Sequence, residues 1–426
     1  MKIIEKFKSN QILKNIYWLI IDKLFVLFLQ FFIGIKIVNY YGSENYGYYS
    51  YAISIFAFFP IIIDLLNARV IKVKISEDES RIITIKKIYS LMSLLSIIII
   101  ILLKKYIEAE LYYLLIMFSI NNLILSNSLG IELFYEYKLK SEKIVYSNMI
   151  AKVLILLFQY LCIYYNKSIY YIAISQILGN FFRYLIILYF FKKDFTFEKK
   201  KIIDYMLIKE IVKESKYFWI ANTANIFFIQ MDKIMLGGII GVKEVAIYTI
   251  AIQLIAIIEI PMIPIVNTVF GHLINKFNKG YKEYIEELAK LNTIVTISYI
   301  FIALLSSLVV EKSFNLFYNQ EYSEAINVYK ILAIGSVLKA NALFRSSHLT
   351  LIKKGKILLT TNLVGMGFAI LLNYIFILKY GILGAATATV LSRITITISG
   401  VYYKEGKEWF EIQLKSFNLK ELRIRR

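Results

Sequence analysis

The sequence predicts an all-α, polytopic membrane protein with about twelve transmembrane helices in two pseudo-symmetric six-helix lobes around a central cavity. The chain has 426 residues, 58% of them hydrophobic, and its mean hydropathy is +0.62. Soluble domains are about 45–50% apolar and disorder requires low hydrophobicity, so this composition excludes both classes. Apolar stretches of membrane-spanning length recur along the whole chain, and one short segment recurs in its second half.

The apolar stretches define the predicted spans, because a helix needs about 20 mostly apolar residues to cross a bilayer core. The predicted spans are 15–37, 46–68, 88–103, 111–133, 144–165, 169–191, 217–240, 245–270, 292–311, 326–350, 357–378 and 382–403. Ile97–Leu103 is a run of apolar residues, whereas barrel strands alternate in polarity, so helices are predicted. The first stretch contains Asp22 and Lys23 and is not followed by a small-residue cleavage site. It therefore reads as a retained span rather than a signal peptide.

The positive charges predict the orientation of these spans. The chain carries 50 Lys and Arg against 30 Asp and Glu. With the N-terminus inside, 35 of the 50 cations fall in inside segments, 6 in outside segments and 9 within spans. Cations flanking spans prefer the cytoplasm, so both termini are predicted to be cytoplasmic. The loop cations then face membrane lipids, and nucleic acid is not expected as a partner.

The chain is predicted to divide where its longest charged break falls. The predicted parts are an N-terminal lobe at 1–191, a cytoplasmic linker at 192–216, a C-terminal lobe at 217–403 and a cytoplasmic tail at 404–426. Within the linker, 202–212 has apolar residues at helical spacing, which predicts an interfacial helix. The tail from Trp409 onward has a similar pattern.

One segment indicates that the lobes are repeats. Gly42–Ile53 aligns without gaps on Gly241–Ile252, at a constant offset of 199 residues, with Gly, Tyr, Ala and Ile in common. Both segments form the predicted outside turn between the first and second spans of their lobe. The repeat therefore keeps its orientation, which is typical of transporters whose substrate site lies between the halves. Chance similarity between apolar sequences is the alternative.

Several motifs carry a resemblance to a known family. They are Asn15 with Tyr40–Tyr48 and Ala52, Asp232–Gly237 with Gly241–Ala251, Asn319–Ala325, and Tyr380–Thr389. In order and over nearly the whole chain, they resemble the bacterial O-antigen and capsular polysaccharide-unit flippases. That family belongs to the multidrug/oligosaccharidyl-lipid/polysaccharide exporter superfamily.

The resemblance implies a six-plus-six bundle with a central, often cationic cavity in the bacterial cytoplasmic (inner) membrane. It implies export of an undecaprenyl-diphosphate-linked oligosaccharide from the inner to the outer leaflet, without covalent chemistry and hence without enzyme activity. The polymerase and the chain-length regulator of the same pathway would be partners. Lipid II flippases of the superfamily usually have fourteen spans, so a count of twelve argues against that branch. No cofactor or metal is expected, because the chain has one cysteine and two histidines.

Ionic groups within the spans are the candidate functional residues, since each costs about 2.5–3.5 kcal/mol at mid-bilayer and rarely faces lipid. They are Asp22, Lys23, Lys36, Asp64, Glu132, Lys152, Arg183, Asp232, Lys233, Glu259, Lys330, Lys339, Arg345 and Arg393. Those near predicted span ends, Lys36, Glu132 and Lys330, are expected to reach the membrane surface.

Helical phase groups several of these ions with other polar residues. Gln176, Asn180 and Arg183 share one face of span six, and span four places Asn121, Ser128 and Glu132 together. Span twelve carries Thr389, Arg393 and Thr397 on a stripe. We expect these stripes to face an aqueous cavity.

Five cations lie in the inner part of the membrane and are predicted to bind the diphosphate. They are Lys23, Lys152, Arg183, Arg345 and Arg393. The alternative is that acids on neighbouring helices neutralise them. Those acids, which are also the candidates for proton or sodium coupling, are Asp22, Asp64, Asp232 and Glu259. Pro261 and Pro264, inside span eight, predict a hinge.

Three other functions stay open. A multidrug exporter of the same superfamily would not need several inner cations. A membrane-embedded polysaccharide polymerase or ligase typically needs a sizeable outside loop, and the longest one here, 311–325, is short. A structural scaffold would not need polar stripes on so many spans. No G-x-x-x-x-G-K-[ST] phosphate loop occurs, which argues against an ATP-driven pump.

Overall fold

A computed structural model describes residues 11–195 and 204–417 of the chain, and that part is helical without strands. The helices are α1 Gln11–Phe56, α2 Ile61–Asp64, α3 Ala68–Glu77, α4 Arg81–Leu102, α5 Ala109–Tyr137, α6 Ser141–Tyr164, α7 Tyr170–Asp194, α8 Tyr205–Ile239, α9 Val242–Glu259, α10 Met262–Lys279, α11 Tyr281–Phe317, α12 Ala325–Leu351, α13 Gly355–Ser399 and α14 Lys404–Lys415. The side chains of most residues before Phe31, those of Asp22 and Lys23 included, lie outside the described part.

The predicted spans largely coincide with helices, but span 46–68 is broken at 57–60 and 65–67, and span 245–270 is broken at 260–261. Eight segments of the described chain are long and apolar enough to cross a membrane. Two of them, Phe31–Glu77 and Gly355–Tyr402, contain a sharp glycine turn between two predicted spans. α8 and α12 carry the two predicted spans that are not among the eight. The prediction of an all-α polytopic protein is confirmed.

Three glycines make the turns between consecutive spans. Gly42 has φ 72°, Gly241 has φ 149° and Gly381 has φ 60°, backbone conformations that side chains with a Cβ rarely adopt. Gly42 and Gly241 are the first residues of the two copies of the repeated segment. The two copies therefore share a backbone feature as well as a sequence, which supports a true repeat over chance similarity.

The chain divides into two compact units, Met1–Ile226 and Phe227–Arg426. In the first unit, apolar residues of α3, α4 and α5 form a buried cluster that also takes in Leu207 and Ile211 of α8. The described residues of the predicted interfacial helix, from Tyr205 onward, are therefore the first turns of α8 and continuous with span seven. They are held by burial against the unit rather than lying apart from it.

In the second unit, α14 packs onto a separate buried cluster. Trp409 and Ile412 of α14 are buried there with Leu288 of α11 and Phe344 of α12. Trp409 also stacks on His348, with ring centroids 6.0 Å apart. The apolar pattern of the tail thus belongs to a helix, Lys404–Lys415, that packs on the second unit. The rest of the predicted tail, 418–426, lies outside the described part.

Large apolar side chains cover much of the outer surface. Leu102, Phe301, Leu304, Leu316 and Leu378 are all exposed. Soluble monomers rarely expose contiguous apolar surface on this scale. A lipid environment covers such side chains without cost, so the surface fits a protein that lies within a bilayer.

Candidate functional site

The polar stripes of spans four and six meet between α5 and α7. Arg183 Nη2 of α7 lies 2.6 Å from Glu132 Oε1 of α5. Ser128 donates its hydroxyl hydrogen bond to the same Glu132 oxygen at 2.8 Å. The amide of Asn180 donates to Asn121 Oδ1 at 2.9 Å. Two residues of each stripe therefore pair across this helix interface, Arg183 with Glu132 and Asn180 with Asn121.

This pairing corrects two predictions. Arg183 and Asn180 on span six contact Glu132 and Asn121 on span four, where a face toward an aqueous cavity was expected. Glu132, expected to reach the membrane surface, instead neutralises Arg183, and the two side chains are only 13% and 15% exposed. A buried charge that keeps its ionised form needs a partner of opposite sign, because desolvation is costly. Glu132 is that partner for Arg183, although its position in the sequence had placed it near the end of span four.

A second charge cluster lies in the second unit and joins α9, α12 and α13. Glu259, the last residue of α9, lies 2.5 Å from Lys339 Nζ of α12 and 3.9 Å from Arg393 Nη1 of α13. Arg393 also donates from Nη1 to the carbonyl of Gly335 at 2.6 Å. A Cβ at position 335 would lie 3.1 Å from that guanidinium nitrogen, so glycine permits the close approach.

Asp232 is buried in the same unit with a tyrosine as its partner. Tyr248 of α9 donates from its hydroxyl to Asp232 Oδ2 at 2.7 Å, and the backbone N–H of Lys233 donates to Oδ1 at 2.8 Å. The Tyr248 hydroxyl also lies 3.4 Å from Thr389 Oγ1 of α13. The carboxylate is thus held by hydrogen bonds from its own helix and from the next one.

Tyr248 is a functional candidate that the search for charged residues missed. The repeated segment contained a signal for it, because a tyrosine is shared by both copies. Tyr248 and Tyr49 occupy the same position in the two copies of the repeated segment. Tyr49 accepts a hydrogen bond from Gln176 Nε2 of α7 at 2.5 Å. Tyr49 thus contacts span six, and Tyr248 contacts span twelve, so each repeated tyrosine joins the second span of its half to the last.

Arg345 of α12 is buried and serves a helix end. It donates from Nη1 to the carbonyl of Ile396 at 2.8 Å and from Nη2 to Asn362 Oδ1 at 3.3 Å. In the described part of the chain it forms no ion pair. Ile396 lies in the last turn of α13, where carbonyls lack helical partners and a cation is favourable. Its contacts are those of a helix cap that also joins spans ten to twelve.

The other predicted site residues are placed as follows. Asp64 accepts a hydrogen bond from Asn222 Nδ2 at 2.5 Å, which ties α2 to α8. Lys152 is partly buried on α6. Pro261 lies in the break between α9 and α10, and Pro264 lies in the first turn of α10. The side chains of Asp22 and Lys23 lie outside the described residues.

Charge clusters buried between membrane helices, in a chain of two helical units, define a polytopic transporter fold. The chain belongs to the polysaccharide biosynthesis protein family, which matches residues 12–273, more than half of its length. The resemblance seen in its motifs is thereby confirmed.

Two curated relatives carry functional names. A putative O-antigen transporter from Shigella flexneri is 26% identical over 184 residues, which cover 43% of this chain and 43% of the relative. A probable low-salt glycan biosynthesis flippase from Haloferax volcanii is 22% identical over 196 residues, which cover 46% and 42%. The chain therefore spans less than half the length of these relatives.

Solved structures share the fold over nearly the whole chain. The lipid II flippase MurJ in an inward-closed conformation matches with a TM-score of 0.69 at 15% identity and covers 95% of this chain and 90% of its own. An inward-facing multidrug resistance transporter of the MATE family matches with a TM-score of 0.62 at 13% identity and covers 95% and 99%. These likenesses establish the architecture of the chain.

Proposed function

We propose that this protein is a flippase for a lipid-linked oligosaccharide. It moves an undecaprenyl-diphosphate-linked polysaccharide repeat unit from the inner to the outer leaflet of the bacterial cytoplasmic membrane by alternating access, and it is not an enzyme. The observation that carries the proposal is membership of the polysaccharide biosynthesis protein family over residues 12–273. The names of the Shigella and Haloferax relatives agree with it.

The substrate brings a diphosphate into the membrane, and this requires cations. Five are proposed for this role: Lys23, Lys152, Arg183, Arg345 and Arg393. The contacts of the three arginines indicate how readily each could exchange its protein partner for phosphate. Arg183 is paired with Glu132 and Arg345 caps α13, so either would have to exchange protein partners to bind phosphate. Arg393 is 3.9 Å from Glu259, so its ion pair is looser than the 2.6 Å pair of Arg183 with Glu132.

The energy source is proposed to be an ion gradient, with Asp22, Asp64, Asp232 and Glu259 as candidate coupling residues. Asp232 and Glu259 are the better supported, since both are largely buried and lie at helix interfaces. The break at Pro261 supports a hinge between α9 and α10, and Pro264 keeps the first turn of α10 short of one backbone donor.

The proposal includes an orientation and partners. Both termini lie in the cytoplasm, and lipids and the lipid-linked oligosaccharide are the immediate partners. The polymerase and the chain-length regulator of the pathway receive the product. The positive-inside distribution of 35 cations against 6 supports the orientation.

A multidrug exporter is the second candidate, because the MATE transporter shares the fold with a TM-score of 0.62. Buried Arg and Lys side chains favour an anionic substrate over the lipophilic cations that such an exporter could carry. A polymerase or ligase is less well supported. The connection between α11 and α12 runs only from Tyr318 to Glu324, which offers little surface for an acceptor glycan.

Deletion of the gene tests the proposal. Lipid-linked repeat units are expected to accumulate in the inner leaflet, and a plasmid copy should restore glycan at the cell surface. Accumulation in the outer leaflet would identify a polymerase or ligase instead. Unchanged surface glycan together with a lost resistance to lipophilic cations would identify a drug exporter.

A further inference from the structure

Lys339 is a cation of predicted span ten whose side chain is partly exposed. It lies near the middle of α12, and 43% of its side chain is exposed. An ammonium group at that depth does not face lipid, because each such group costs about 2.5–3.5 kcal/mol there. The exposed side of Lys339 therefore faces an aqueous opening. This face of α12 is accessible to a water-soluble group such as a phosphate.

The partner of Lys339 is an under-used carboxylate. Glu259 Oε2 takes the 2.5 Å contact with Lys339, whereas Oε1 is buried, has no hydrogen-bond partner and lies 3.9 Å from Arg393. Glu259 also ends α9, where the helix dipole disfavours a negative charge. One carboxylate thus faces two cations. Its Oε1 accepts no hydrogen bond, and it forms a close ion pair with Lys339 but not with Arg393.

The surrounding charges leave the cluster positive. Asp232 is close enough to Arg393 to interact electrostatically, but its oxygens already accept from Tyr248 and from the backbone of Lys233. Lys233 interacts electrostatically with Asp232, so Lys339 and Arg393 are left to share the single carboxylate of Glu259. An additional anion at this place is therefore electrostatically favoured.

We infer that Glu259 is a resident counter-anion, which the diphosphate of the substrate displaces from Lys339 and Arg393. This inference rests on the proposed flippase function and names the place where the headgroup binds in the second unit. A diphosphate offers more charge and more acceptor oxygens than one carboxylate, and an Arg with a Lys is a suitable pair to hold it. No covalent bond forms or breaks.

Displacement of Glu259 would also release a helix end. While Glu259 is paired, the C-terminus of α9 is tied to α12, directly before the break at Pro261. When phosphate takes Lys339, the ion pair at the end of α9 is lost, while the buried residues between Val245 and Ile255 keep the rest of the helix packed. The loss lowers the resistance to bending at the break before α10. The exchange of anions thereby connects ligand binding to the predicted hinge.

The test measures binding to the full-length protein in lipid nanodiscs. The probe is farnesyl diphosphate, and farnesol is the neutral control. Removing the competing charge with Glu259→Gln is expected to tighten farnesyl diphosphate binding about tenfold, or about 1.4 kcal/mol. Lys339→Met is expected to weaken binding, and the double variant should lose the gain that Glu259→Gln produces alone.

The matched control is Glu311→Gln. Glu311 of α11 pairs with Lys330 of α12 at 2.8 Å, but both side chains are well exposed. This variant removes the same charge from the same unit and should change affinity less than about twofold, because exposed pairs interact weakly. A tenfold gain in this control would show a general charge effect and would overturn the inference.

The outcomes separate the two proposals. If the wild-type protein does not prefer farnesyl diphosphate to farnesol, the flippase proposal fails. If it does, but Glu259→Gln leaves affinity unchanged or keeps its gain in the Lys339→Met background, only the counter-anion inference fails. Glu259→Asp serves where the Gln variant does not fold. This variant shortens the side chain by one methylene and so draws the carboxylate away from Lys339. An unchanged affinity for farnesyl diphosphate in this variant would also contradict the counter-anion inference.

Discussion

The Glu132–Arg183 pair allows a quantitative test of how the first unit holds its charges. Glu132→Gln keeps the size of the side chain and its acceptor for Ser128, but it leaves Arg183 without a counter-charge. Breaking a fully buried ion pair costs about 3–5 kcal/mol. Because 15% of Arg183 and 13% of Glu132 remain exposed, we expect a smaller loss of unfolding free energy, about 2–3 kcal/mol.

A double-mutant cycle in detergent micelles measures this interaction. Glu132→Gln and Arg183→Gln are unfolded by added denaturing detergent, alone and together, with helicity as the readout. The coupling free energy should reach about 1.5 kcal/mol, within the range for residues in direct contact. The exposed Glu311–Lys330 pair should give less than about 1 kcal/mol in the same cycle. A Glu132–Arg183 coupling below about 0.5 kcal/mol would refute the reasoning.

The same pair decides whether Arg183 binds substrate. Arg183→Ala is expected to leave protein in the membrane but abolish surface polysaccharide. The charge-reversed double variant, Glu132→Arg with Arg183→Glu, should recover stability because the ion pair is rebuilt. Recovered export as well would make Arg183 a purely structural residue. A stable, inactive swap at wild-type protein level would support the binding role.

Three further predictions concern the turn, the buried tyrosine and the orientation. Gly241→Ala should lower the unfolding free energy by about 1–3 kcal/mol, because φ is 149° there, whereas Gly34→Ala meets empty space and should not destabilise. Tyr248→Phe should lower it by about 1–3 kcal/mol, since a buried carboxylate loses its donor. In a cysteine-free background, a cysteine at Lys312 should react with an impermeant maleimide added outside, and one at Lys353 only after permeabilisation.

Each of these predictions has a result that contradicts it. Equal melting temperatures for the two glycine variants would mean that the turn at Gly241 tolerates a Cβ. An unchanged melting temperature for the tyrosine variant would mean that the carboxylate has an equivalent second donor. External labelling at Lys353 with protection at Lys312 would invert the orientation. A control cysteine at Tyr402, which is largely exposed, should label on the same side as Lys353.

Hydropathy predicted the helices because it reports on the solvent of each segment. A stretch of about 20 apolar residues can satisfy its backbone in lipid only as a helix, whatever its neighbours are. The turns were also visible, since Gly42 and Gly241 begin the repeated segment and both have positive φ. The linker was harder. Its helical spacing was correct from Tyr205 onward, but periodicity does not tell whether a helix ends before the next span or continues into it.

The candidate site shows where sequence reasoning stops. Helical phase put Gln176, Asn180 and Arg183 on one face, and the structure keeps them together on α7. Phase describes one helix at a time, so it could not show that this face meets the stripe containing Glu132. Composition likewise gave the charge of Lys339 and Glu259, but not their contact, because they are 80 residues apart in the chain.

The residues of each segment were enough to predict a helical membrane protein with a repeated turn, because these properties follow from each segment and its solvent. Which charges neutralise one another depends on contacts between helices that are distant in the chain, and these required the three-dimensional fold. A buried Arg needs a partner, and packing across helices determines which group that partner is. Arg183 pairs with Glu132, Arg345 caps the end of α13, and Lys339 and Arg393 share the carboxylate of Glu259.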